Sequence, residues 1–129
     1  MIGINNLLTG QPLDEVKEDL NSLKDVVCGQ QAKIIWMSVL PVNPEIFRRE
    51  ILSRSPNVYL PSSEQIFDLN EHIRGISDTC PNITFFDVSD SFMDVSGNLS
   101  SEFTIDGLHL SSAGSKALAM IVGELSHEK

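Results

Sequence analysis

Basic residues are scarce in this chain: nine Lys and Arg stand against eighteen Asp and Glu, a formal charge of −9 over 129 residues. That balance excludes a phosphate backbone or an anionic membrane surface as the main partner, so no nucleic acid is expected. Long hydrophobic runs are missing too. No stretch approaches the apolar length of a membrane span, and MIGINNLLTG has neither the basic nor the long apolar part of a secretory leader. These absences predict a soluble, cytoplasmic chain. Cysteine is limited to Cys28 and Cys80, far apart and without the CxxC spacing of a zinc or redox site. Both read as ordinary buried or half-exposed thiols. His72, His109 and His127 are scattered, and Asp87, Asp90 and Asp94 fit no spaced loop of oxygen ligands, so neither a metal nor another cofactor is expected.

What is present is a regular alternation. Leu13, Val16, Leu20, Leu23 and Val27 step by three and four along one helix, and Gly29 is placed to stop it. KIIWMSVLP, Lys33 to Pro41, is an almost unbroken apolar run that reads as a strand buried on both faces, the kind found in parallel sheets. From Val42 to Pro61 the chain is irregular apart from a short helix around Glu45 to Leu52, and a connection of that length is more often functional than decorative. Arg48, Arg49 and Arg54 fall in it and read as a solvated surface balanced by Glu45 and Glu50. Ser62 and Gln65 form a capping box for a helix carrying Ile66, Leu69, Ile73 and Ile76. A second strand, Ile83 to Val88, follows. Ser111 or Ser112 then caps a last helix with Ala117, Leu118, Ile121, Val122 and Leu125 inward. Met1 to Ile4 reads as the tail of another strand. Alternating strands and helices call for an α/β fold with an open parallel sheet and helices on both faces, here in a single domain over residues 1–129.

In such sheets reactive groups collect beyond the carboxyl ends of the strands. GINN, PVN and DGLH all fall there on this reading. In DGLH, Asp106 stands three residues before His109 with Gly107 between, so a tight turn can let the carboxylate accept the imidazole Nδ1 proton and leave Nε2 free to take a proton from a hydroxyl. On spacing alone Asp-x-x-His is a weak pattern that reads first as a plain turn, with His109 a partly buried residue near a helix start. Asn5 can aim its amide at the oxygen of a tetrahedral intermediate, and Gly3 can admit a substrate close to the backbone, although both residues are also simply common in turns.

Together and in this order the segments resemble the SGNH hydrolases, also known as the GDSL lipase and acylhydrolase family. Gly3-Ile4-Asn5-Asn6 looks like its Gly-x-Asn-Asp block, with Asn6 where the family has aspartate; DGLHLSSAG resembles its Asp-x-x-His block; VLPVN is similar to the segment after its fourth strand. The resemblance implies a three-layer α/β/α sandwich, flavodoxin-like in layering, here truncated at its N-terminal side to about three strands. It implies a Ser-His-Asp triad with His109 as base, Asp106 as its orienter, Asn5 as oxyanion donor with Gly3 beside it, and a small-molecule ester as substrate. The family's Gly-Asp-Ser block occurs nowhere in the sequence. Ser38, Ser91 and Ser111 match the nucleophile neither in block nor in order, which leaves it unidentified. Two readings follow: the C-terminal part of an ester hydrolase completed by a serine-bearing segment, or an inactive remnant that uses its exposed edge to associate. Either predicts a homo-oligomer or a complementing N-terminal segment.

Overall fold

In the computed structural model, which describes residues 3–127, the first described element is a short helix, α1 (Ile4–Leu8). The strand tail expected at Met1 to Ile4 is therefore corrected at Ile4, while Met1 and Ile2 lie outside the described residues. Gly3 is the physical reason. Its φ of 104° and ψ of −26° put it in the left-handed region and turn the backbone into the helix; an added Cβ there would lie 3.1 Å from Leu69 Cδ2.

The described residues fall into two compact units, one within Met1–Leu40 and Asn57–Ser91, the other within Pro41–Pro56 and Phe92–Lys129. In the first, α2 (Leu13–Val27) follows the predicted stripe, burying Val16 and Leu20, with Asp14 and Glu15 in its first turn facing the positive end of the helix dipole. Strand β1 (Ile34–Met37) pairs with β2 (Ile83–Phe86) in parallel, Ile34 opposite Ile83 and Met37 opposite Phe86. Between them in sequence, α4 (Ser63–Thr79) starts at the Ser62–Gln65 capping box, both of whose hydrogen bonds form at 3.0 Å, and buries Ile66, Leu69, Ile73 and Ile76. It packs on β2 and on α2. Numbered in chain order, α3 (Pro44–Phe47) belongs to the second unit.

Both strands are shorter than their apolar runs. At Ser38 the chain leaves the ladder: its amide donates to Phe86 O at 3.0 Å, but its buried hydroxyl then accepts the Val88 amide at 3.0 Å in place of a backbone carbonyl. Burial on both faces is also incomplete. Trp36 is buried while its neighbour Ile35, which points to the opposite face, is 45% exposed.

Cys28 and Cys80 are not free thiols: they form a disulfide, with Cα atoms 5.5 Å apart. Each residue follows the last turn of a helix, Cys28 after α2 and Cys80 after α4, so the packing of these helices brings the two together. Asn82 braces the same corner. Its Nδ2 donates to Val27 O and Ala32 O at 2.9 and 3.2 Å, and its Oδ1 accepts the Gly29 amide at 3.0 Å.

In the second unit Pro44 occupies the first turn of α3, capped by Asn43, and the chain continues through one wider turn, Arg48–Leu52, closed by the Ser53 amide on Arg48 O. Phe47, Phe92 and Leu99 are fully buried, and Phe92 meets Phe103 edge to face with ring centroids 5.4 Å apart. Helix α5 (Ser112–His127) is capped by Ser111, whose hydroxyl accepts the Gly114 amide at 3.1 Å. Its apolar positions are less buried than its stripe predicts: Ala117, Leu118, Ile121 and Leu125 are half-buried, while Val122 is 41% exposed. The class is α/β with a parallel sheet, of which two strands are described. No described helix is long and apolar enough to cross a membrane.

Candidate active site

Residues 104–110 fold back on themselves, with Thr104 and Leu110 bridged antiparallel and the Ile105 amide donating to His109 O at 3.2 Å. An aspartate two or three residues before free amides can hold such a turn through its own side chain. Asp106 does this with Oδ1, which accepts the Leu108 amide at 2.9 Å and the His109 amide at 2.7 Å. Its other oxygen, Oδ2, lies 2.6 Å from His109 Nδ1. Burial of the Asp106 carboxyl is the largest single influence on it and works to raise its pKa. The hydrogen bonds from the His109 amide and imidazole and the Leu108 amide, together with the imidazole charge, outweigh burial and hold the group below its ordinary value. An ionised carboxylate can only accept, so Nδ1 carries the proton, and whenever the imidazole is neutral Nε2 is its acceptor. With His109 68% exposed against 22% for Asp106, the orienting group is sheltered and the basic group is open. That arrangement can remove a proton from a hydroxyl brought to Nε2.

Thr104, to which sequence reasoning assigned no role, and Asn43, the last residue of PVN, build the turn. Thr104, 7% exposed, donates from Oγ1 to His109 O at 2.7 Å and accepts the Gly107 amide at 2.9 Å. Asn43 donates its backbone N–H to Gly107 O at 2.8 Å. Gly107 itself is buried at φ 88°, and an added Cβ would lie 2.5 Å from Phe47 N and 2.6 Å from Asn43 O. PVN and DGLH are thus brought together at Asn43 and Gly107. The signals the sequence carries for these roles are Thr104 two residues before Asp106, and Asn43 as a cap directly before Pro44.

Gly3 and Asn5 belong to the first unit and the Asp106–His109 pair to the second. Asn5 lies in α1 with an exposed side chain, and Gly3 is its buried entry residue. Asn6, next to it, donates to Gln11 Oε1 at 2.7 Å, and Gln11 to Asp19 at 2.9 Å, so a neutral amide makes the local bonds at this position. The three serines weighed as nucleophiles have other surroundings. Ser38 is fully buried and bonded to the Val88 amide, Ser91 ends a short turn at Ser89–Ser91, and Ser111 donates to Glu102 O at 2.8 Å while capping α5. Among the described residues, no group of three or more His, Cys, Asp or Glu side chains is placed to hold a metal ion.

No family model and no curated protein matches the sequence. Solved structures do. A Streptococcus pneumonia protein named for platelet activating factor superposes with a TM-score of 0.81 at 31% identity, over 97% of this chain and 56% of its own. A Bacteroides fragilis protein named as an acylhydrolase gives 0.68 at 19% identity, over 91% of this chain and 52% of its own. A GDSL-like lipase of Bacteroides thetaiotaomicron gives 0.64 at 22% identity, over 91% and 53%. The chain spans about half the length of each of these structures.

Proposed function

We propose that this chain, whose fold is that of the SGNH, or GDSL-like, hydrolases, is the histidine-and-aspartate part of a serine ester hydrolase. The observation that carries the reading is the 2.6 Å contact between Asp106 Oδ2 and His109 Nδ1, with the rest of the imidazole open. In the proposed reaction a serine from outside these 129 residues, on an upstream segment or a separate polypeptide, gives its hydroxyl proton to His109 Nε2 as its oxygen attacks the carbonyl of a small-molecule ester. Asp106 stays ionised and stabilises the imidazolium. The Asn5 amide, with Gly3 beside it, donates to the oxyanion. Collapse of the intermediate breaks the carbon–oxygen bond to the leaving alkoxide, which takes the proton from His109. Water then attacks the acyl-serine with His109 again as base, releasing the carboxylic acid and restoring the serine. Residues 1–129 act as part of a single domain, a reading supported by the 97% of the chain aligned with one neighbour. A bonded Cys28–Cys80 pair favours an oxidising compartment over the cytoplasm expected from composition.

The test is hydrolysis of p-nitrophenyl acetate by the 129-residue chain, by a form extended upstream through the adjoining coding sequence, and by each with His109→Ala. The proposal expects turnover by the extended form, abolished by His109→Ala. Turnover by the short chain with the same dependence would place the nucleophile among its own serines. An extended form without turnover would leave the association module as the better reading.

A further inference from the structure

We propose that Asn43 is a positioning residue for His109, holding the Asp106–His109 turn in register from a separate segment of the chain. The inference rests on His109 being the base of the reaction above. Each polar atom of Asn43 has a partner, and the partners lie on three different stretches. Nδ2 donates to Leu99 O at 2.9 Å, Oδ1 accepts the Ile46 amide at 3.2 Å, the backbone N–H donates to Gly107 O at 2.8 Å, and the backbone oxygen accepts the Phe47 amide at 2.9 Å. Next to it the Leu99 amide donates to Val42 O at 3.1 Å, so the Leu99 segment is joined to this point twice. An oxygen facing an N–H and a nitrogen facing a C=O leave the amide one orientation.

Its backbone is therefore fixed by its own side chain before it reaches Gly107. At Gly107 the fit is close: Asn43 O and Phe47 N occupy the space where a Cβ would stand. Gly107 lies one residue after Asp106 and two before His109, and its amide and carbonyl are held by Thr104 and Asn43 respectively. If the Asn43 side chain is lost, the centre of the turn is free to shift while Asp106 must keep three hydrogen bonds at once. A helix cap for α3, by contrast, would need only Oδ1. The two roles separate in Asn43→Ser, which can still cap through its one oxygen but lacks the second polar atom that reaches Leu99 O.

The experiment is imidazole 15N NMR on the 129-residue chain, read where the ring is neutral and assigned against His109→Ala, for the parent, Asp106→Asn, Asn43→Ala and Asn43→Ser. Far-UV circular dichroism checks folding. The parent should hold His109 as the Nδ1–H tautomer. Asp106→Asn, whose amide donates where the carboxylate accepted, should lose that signal. Asn43→Ala and Asn43→Ser, still folded, should lose most of it as well. Retention of the parent tautomer in Asn43→Ser overturns the proposal, and that variant decides should Asn43→Ala fail to fold. An unchanged tautomer in Asp106→Asn removes the reading of the pair itself, and the role of Asn43 with it.

Discussion

One carboxylate holds His109 twice: Asp106 Oδ1 accepts its backbone amide at 2.7 Å and Asp106 Oδ2 faces its Nδ1 at 2.6 Å. Main chain and ring are thus set by the same planar group, and the orientation of the imidazole follows from the shape of the turn. A substitution that spares the backbone bond can still reverse the ring's proton arrangement.

Asp106→Asn is that substitution. The amide oxygen can keep the two backbone hydrogen bonds, but its NH₂ group donates toward Nδ1, moving the ring proton to Nε2, where a base must be empty. In the catalytically competent form, kcat should fall on the order of 10⁴-fold, the loss typical of a triad whose histidine is in the wrong tautomer. Steady-state kinetics on the extended chain measure it, and a loss confined to KM would count against the role given to Asp106.

Acid should reveal the same group. The Asp106 pKa lies below its ordinary value in the folded protein, so its contribution to stability is present above the unfolded-state value and disappears as pH falls through the folded one. Urea unfolding should show the parent losing stability below about pH 4, with Asp106→Asn less stable at neutral pH and flatter through that window. Equal gaps between the two proteins at pH 7 and in acid would contradict this.

Thr104 makes a testable contrast. Thr104→Val removes the donor to His109 O and leaves the buried Gly107 amide without its acceptor, at a cost of about 1–3 kcal/mol. Thr104→Ser keeps the hydroxyl and should stay much closer to the parent. Urea midpoints of the three proteins decide; a serine variant as weak as the valine one would show that the methyl group, not the hydroxyl, matters.

Gly107 and Gly97 both have positive φ, 88° and 81°, yet only Gly107 is crowded, since a Cβ on Gly97 would meet nothing within 4 Å. Gly97→Ala should therefore cost only the left-handed strain of about 1–2 kcal/mol. Gly107→Ala adds a clash with the backbone of Asn43 and Phe47 and should cost clearly more, with loss of the His109 tautomer. Chemical denaturation of the pair gives the comparison.

The Cys28–Cys80 bond closes a sequence separation of 52. In the chain-entropy description a loop of that size adds about 4 kcal/mol to stability. Guanidinium unfolding with and without reductant should show a fall of that order in the parent and none in Cys28→Ser. Two freely titrating thiols in the native protein, or no response to reductant, would refute the pairing.

Long periodic elements were readable from the sequence because their signals repeat. Five apolar residues at helical spacing define α2, and a capping box with four core positions defines α4. The parallel pairing of IIWM with ITFF follows from apolar β-branched runs separated by a helix. INNLL is too short to carry a period, and its helix depends on the left-handed Gly3, which a sequence does not display. The disulfide was illegible for another reason: a pair so distant in sequence is set by how α2 and α4 pack. At the site, Asp106 and His109 were visible from spacing and resemblance, whereas Thr104 and Asn43 act through main-chain partners that leave only a faint trace in residue type.

The covalent link between Cys28 and Cys80 also makes a ring of everything between them, including β1, Asn43 and the irregular stretch up to Pro61. A protease that nicks the chain inside this ring releases nothing: the cut molecule runs as one band until reductant is added and as two pieces afterwards. The segment that carries Asn43 thus stays tethered at both sides of a cut.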